Sequence, residues 1–110
     1  MDRMAALSVR QPYAEQIMRR TKRIEYRRMP TKRRERVYIY ASQTPGDAED
    51  FGSMRLRQGD LLTGVLIGTV EIVDCTGSPG DYRWHLKRPK RLKRMKKPRN
   101  HPQPAWFYPF

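Results

Sequence analysis

GVLIGTVEIVDC, residues Gly64 to Cys75, is β-branched and apolar on both alternating faces. Such a run predicts a long central strand in a closed or covered sheet, and Gly68 within it permits a bend or bulge. Working outward, VYIYA (Val37 to Ala41) is a short strand with Val37, Ile39 and Ala41 facing one way and Tyr38 and Tyr40 the other. Ala5 to Val9 reads as a strand that turns at Gln11-Pro12 into a helix with proline at its first position. Tyr13, Ile17 and Arg20 share one face of that helix, Ala14 and Met18 flank it, and Arg19 and Arg20 occupy the last of about two to three turns. Arg23 to Arg27 alternates as a strand, with Ile24 and Tyr26 on one side and Arg23, Glu25 and Arg27 on the other. Asp81 to Leu86, carrying Trp84, forms a further strand after a Gly77 to Gly80 turn built around Pro79. Met29 to Glu35 is a loop, and Ser42 to Asp60 holds at most a weak helix around Asp50 to Leu56. Prolines 102, 104 and 109 exclude a regular helix at the C-terminus, where Trp106, Phe107, Tyr108 and Phe110 pin an irregular tail to the body. These elements predict a small α+β barrel.

The 110 residues leave room for one core, so the expectation is a single domain over 1–110 with a basic, proline- and aromatic-rich segment at 87–110. The 24 Lys plus Arg against 11 Asp plus Glu give a formal +13, which points to phosphate polymers as partners. The charge is unevenly laid out. Residues 1–18 are neutral, 19–36 carry ten bases against Glu25 and Glu35, 47–81 carry seven acids against Arg55 and Arg57, and 82–110 carry ten bases and no acid. The surface is strongly polarised if the two basic segments lie side by side. A single cysteine, Cys75, excludes an intramolecular disulfide and a cysteine-ligated zinc site, and is expected to be buried and inert. His85 and His101 have no ligand spacing around them, so neither a metal nor another cofactor is expected. With no apolar stretch of signal-peptide or membrane-spanning length, the chain reads as a soluble cytoplasmic protein, a monomer whose acidic middle allows weak self-association.

Three constellations carry chemistry. Lys22-x-x-Glu25-x-Arg27 follows a helix end, where a lysine beside a carboxylate can polarise a substrate; the alternative is a surface salt bridge. Glu71 is the only charge between Leu61 and Val73 and, with regular alternation, shares a face with Val65, Ile67 and Val73. It is then either an isolated carboxylate of raised pKa in a cleft or one member of a structural ion pair. Lys22, Glu25 and Glu71 are thus candidate catalytic residues. The third constellation is basic and aromatic: Arg10, Tyr13, Arg20, Lys22, Tyr26, Arg27, Lys32, Arg33, Arg34, Tyr40 and Trp84, with Lys90, Arg91, Lys93 and Arg94 from the run Lys87 to Arg99. Cations that track phosphates and aromatic planes that stack bases are what a single strand needs.

ALSVRQPYAEQIMRRTKRIEYR (Ala6 to Arg27), followed by RVYIYAS, GVLIGTVEIVDC, WHL, PKRL and HPQPAWFYPF, resembles an ASCH-domain (ASC-1 homology) protein of the PUA-like superfamily over nearly the whole chain. The family motif G-x-K-x-x-E-x-R falls on Lys22, Glu25 and Arg27, with Arg20 in place of the glycine. The resemblance implies a small PUA-like β-barrel with one or two flanking helices and a cleft into which the motif and the Glu71 of the long strand project. It implies binding of RNA or another single-stranded nucleic acid. Some ASCH proteins are enzymes, ribonucleases or amidohydrolases acting on N4-acetylcytidine with a Lys, a Thr and a Glu. Lys22 and Glu71 match the Lys and Glu of that set, whereas the Thr position holds Glu25. A binding module and a hydrolase are therefore the two expectations.

Overall fold

The computed structural model describes residues 3–110; Met1 and Asp2, with the Asp2 charge counted above, lie outside the described residues. In chain order the elements are β1 (Ala6–Val9), α1 (Tyr13–Met18), β2 (Ile24–Arg27), β3 (Arg36–Ala41), α2 (Ala48–Gly52), β4 (Val65–Ser78), β5 (Asp81–Lys96) and β6 (Trp106–Phe107). Among the described residues the strands form one six-stranded sheet in the order β2-β5-β4-β3-β1-β6, curled into a half-barrel with two short helices. β1 and β3 pair in parallel and the other neighbours are antiparallel. No helix of the described residues is long and apolar enough to cross a membrane.

The alternation in β3 sets the two sides of the sheet. Val37, Ile39 and Ala41 join Leu7, Val9, Ile17, Ile67, Val70, Ile72, Trp84 and Leu86 in the main core, while Tyr38 and Tyr40 pack with Ala6, Leu66 and Phe107 on the reverse face. Burying each large aliphatic side chain contributes about 1.5–3 kcal/mol, so both faces of β4 being covered explains the unbroken apolar run. Cys75 is half-buried against the main core rather than fully enclosed.

The structure corrects the regular alternation expected of the long strand. Pairing with β3 leaves an extra residue on β4 at Ile67, between the Tyr40–Leu66 and Ile39–Gly68 pairs, and Ile67, Val70 and Ile72 all reach the same core. An odd step between Ile67 and Val70 on one face means that the pleat is broken there, and Glu71 therefore leaves the Ile67 face.

The basic run beyond Leu86 is strand, not loop. β5 continues to Lys96 along β4, and Glu71 pairs with Lys87 while Thr69 pairs with Lys90, leaving one extra residue on β5. Arg88, at φ 55, and Pro89 occupy that bulge, where a missing N–H costs no ladder bond. The C-terminal tail is irregular as expected except for β6, which pairs Phe107 with Ala6 and Trp106 with Leu7. The weak helix lies at Ala48–Gly52 rather than 50–56, and it buries Phe51.

α1 is shorter than two to three turns, and Pro12 precedes its first residue rather than occupying it. Arg20 lies beyond its end at φ 67. The Arg20 N–H donates to the Ile17 carbonyl at 3.1 Å and the Thr21 N–H to the Gln16 carbonyl at 3.0 Å, the paired bonds of a left-handed C-terminal cap. Glu15 ties α1 to β5. Its carboxylate accepts hydrogen bonds from both terminal nitrogens of Arg91, each at 2.8 Å, and from Arg19 Nε at 2.6 Å. Burial alone would raise its pKa, but the bonds from Arg91 and Arg19 outweigh burial and hold it below the ordinary value. A depressed folded pKa contributes stability above the unfolded pKa and loses it as pH falls through the folded one. Urea midpoints of the wild type should therefore decline below about pH 4 more steeply than those of Glu15→Gln. Glu15→Ala is expected to cost about 2 kcal/mol at neutral pH, less than a sealed pair because both arginines reach water; equal midpoints for mutant and wild type would refute the clamp.

Candidate functional site

A cleft of ≈ 670 Å³ opens where the C-terminal end of β1, the helix start, β2 and the residues around His101 to Ala105 meet. β2 supplies Glu25, Tyr26 and Arg27, the turn after α1 supplies Lys22, and the segment after β1 supplies Arg10 and Tyr13. Tyr40 closes the floor from β3, itself buried and with its phenol pushed up by that burial. Ser8 holds the tail across the opening: its hydroxyl donates to the Gln103 carbonyl at 2.7 Å and its N–H to the Ala105 carbonyl at 2.8 Å.

Inside the cleft the motif residues interlock. Glu25 is buried, and its carboxylate accepts from Arg27 Nε at 2.9 Å and stands 3.5 Å from Lys22 Nζ. Arg27 also donates to the Ser8 carbonyl at 2.8 Å and lies 5.6 Å over the Trp84 ring. Lys22 Nζ lies 5.8 Å from the Tyr13 ring centre and 5.3 Å from that of Tyr26, within cation–π range of both. Tyr13 is held in turn by Asp50, whose carboxylate accepts its hydroxyl proton. That bond, with burial behind it, pushes the Tyr13 pKa up to about 12. Tyr26, on the sheet edge, is 59% exposed.

Glu71 stands elsewhere. The β3–β4 register sets Arg36 directly opposite it, and its carboxylate accepts from Arg36 at 3.2 Å and from Arg88 Nε at 2.9 Å. The hydrogen bonds from Arg88, and then the charge of Arg36, hold its pKa below the ordinary value, so of the two expectations for Glu71 the structure shows the ion pair and not the isolated carboxylate of raised pKa. Glu71 does not line the cleft with Lys22 and Glu25.

The remaining candidates divide in the same way. Arg10, Tyr13, Arg27 and Tyr40 line the cleft, and Arg20 lines a neighbouring groove. Trp84 is 2% exposed, stacked on Trp106 at 5.7 Å, and donates from Nε1 to the Met29 carbonyl at 3.0 Å. It belongs to the core and offers no face to a base. Arg33 lies 4.6 Å over the Trp106 ring and bonds Glu35, Arg34 bonds the Thr31 carbonyl, and Arg91 is engaged by Glu15. Lys32, Lys90, Lys93 and Arg94 are exposed outside the cleft. The residues that sequence reasoning missed are Ser8, Gln43, Thr44, His101 and Gln103. They come from loops and a strand end with no spacing signal, and only the pairing of β6 with β1 carries the tail to the rim.

A family model for the ASCH domain matches residues 7–107. The chain belongs to the ASCH domain family. A comparison with curated proteins found no match. ASCH domains are PUA-like and often linked to RNA binding. In this ASCH chain the turn after α1 is left-handed at Arg20, with φ 67. Lys22, Glu25 and Arg27, which follow that turn, line one cleft.

Proposed function

We propose that this protein is a single-domain RNA-binding ASCH module over residues 1–110 that grips a single strand in the cleft around Lys22, Glu25 and Arg27. The observation that carries the reading is the convergence of Arg10, Lys22 and Arg27 with Tyr13, Tyr26 and Tyr40 at one opening, whose only carboxylate among the described residues, Glu25, is already paired. Cations neutralise phosphates and the exposed Tyr26 ring stacks a base. Glu25 acts as a positioning residue that holds Lys22 and Arg27 toward the strand. A hydrolase of the Lys, Thr and Glu type would need Glu71 beside Lys22, and Glu71 lies outside the cleft; the binding reading does not call on it. One free, half-buried thiol suits a reducing compartment, so the reading places the module in the cytoplasm, and its net charge of +13 favours a monomer through self-repulsion.

The test is anisotropy titration of labelled octauridylate between about 50 and 200 mM salt, where log K should fall with a slope of about 0.7 per phosphate contact. Tyr26→Ala should lower affinity about tenfold at every salt concentration while leaving the slope unchanged, since stacking carries no counterions. Binding that ignores salt, or that Tyr26→Ala leaves intact, would remove the proposal.

A further inference from the structure

On the other side of Lys22 a second groove of ≈ 480 Å³ runs between the end of α1, β2 and β5. Its floor is apolar, formed by Ile17, Ile24, Val70 and Leu86, and its walls carry Arg20, Lys22, Arg23, Lys87 and Arg88 with no carboxylate among the lining residues. Here the two basic segments of the sequence meet, one on each wall. Among the described residues Arg20, Arg23 and Lys87 have no ion-pair partner, while Arg88 holds Glu71. Lys22 is common to the linings of the cleft and the groove.

Two further features of the groove bear on what these cations meet. Of the non-glycine residues with positive φ, Arg20 (67) and Arg88 (55) both line this groove. A left-handed conformation at a residue with a Cβ is unfavourable and persists where the surroundings over-determine it, commonly at ligand sites. Like charges facing one another across a narrow groove also repel, and an anion between them relieves both walls.

We propose that this groove carries the phosphodiester backbone of the same RNA strand whose base lies in the cleft, so that the strand passes over Lys22 from one to the other. The inference rests on the proposed RNA-binding reading and extends the bound length beyond the nucleotides that the cleft alone accepts. A sugar-phosphate backbone fits the lining: cations on both walls meet successive phosphates, and the apolar floor lies under the sugars.

The experiment compares two probes, UpU followed by NMR titration and octauridylate followed by anisotropy. The groove variant combines Arg20→Gly, Arg23→Ala and Lys87→Ala; glycine is chosen because it adopts positive φ freely, so the fold is kept. A control of equal charge loss combines Arg3→Gln, Arg28→Gln and Arg57→Gln, none of which lines either site. The groove variant is expected to lose about 2 from the octauridylate salt slope, about 0.7 for each lost contact, and at least about tenfold in affinity near 50 mM salt. Its UpU affinity should stay within about twofold of wild type, and the control should shift octauridylate by less than about threefold, through the general field alone. Octauridylate binding by the groove variant that equals wild type or the control overturns the track. An equal loss of UpU affinity also overturns it, because the groove would then be part of the nucleotide site. If the wild type binds neither probe, or if Tyr26→Ala changes neither titration, the RNA-binding reading itself fails.

Discussion

Trp84→Ala is expected to lower stability by about 4 kcal/mol, among the largest single-residue effects in this chain. The side chain is 2% exposed, stacked nearly parallel on Trp106 at 5.7 Å, and its indole N–H satisfies the Met29 carbonyl. Truncation removes the burial of a large ring, leaves a cavity against Trp106 and orphans that carbonyl. For a domain of this size about 4 kcal/mol corresponds to a drop in Tm of roughly 15–25 °C. Trp84→Phe retains the ring stack and should lose about 1–2 kcal/mol through the missing N–H and the smaller ring. Denaturant titration checks both. A Trp84→Ala protein of near wild-type stability whose affinity for octauridylate falls about tenfold would show that this ring stacks a base and is not core.

Gly68→Ala is expected to cost about 3 kcal/mol, at the upper end of overpacking effects. A Cβ built on Gly68 runs into the Met18 sulfur and the backbone carbonyl of Lys90. The methionine can move, but the carbonyl belongs to β5 and shifts only with the ladder. Relief requires β5 to shift along β4, and β5 is tied through Arg91 and Glu15 to α1, which sets the positions of Tyr13, at its start, and of Lys22, just after its end. The substitution should therefore weaken octauridylate binding as well as folding, with the melting temperature reporting the first loss and anisotropy below the transition the second. A Gly68→Ala protein with an unchanged melting temperature would show that the β5 backbone does not press on β4 at this point.

How much of the site was legible in the sequence differs residue by residue. The Lys22, Glu25 and Arg27 spacing put a lysine near a carboxylate just after a helix end, with a surface salt bridge as the alternative, and the structure brings the three side chains to one cleft. Glu71 was not legible. Its face depends on the parity of β4, and the bulge that changes that parity, the extra residue Ile67 opposite the Ile39–Tyr40 step of β3, is set by cross-strand register. Pairing with β4 at Lys87, Lys90, Arg91 and Lys96 turned the basic run from Lys87 to Lys96 into strand against its low intrinsic preference.

What the sequence determined by itself is local and periodic: strands read at Ala5 to Val9, Val37 to Ala41 and Gly64 to Cys75, which the structure forms at Ala6–Val9, Arg36–Ala41 and Val65–Ser78, the two faces of β3, the aromatic tail packed on the body, the net charge of +13 and its division into opposed segments. Those features follow from the two-residue period of a pleat and from charge counting, which need no knowledge of neighbours. Only the tertiary structure decided that the two basic segments face each other across one groove, that Glu71 pairs with Arg36 and Arg88 instead of joining Lys22, and that Trp84 lies under the cleft rather than in it. Each of these depends on which strand lies beside which and in what register, and contacts between residues far apart in the chain are set by the packing of the whole sheet rather than by any local run of residues.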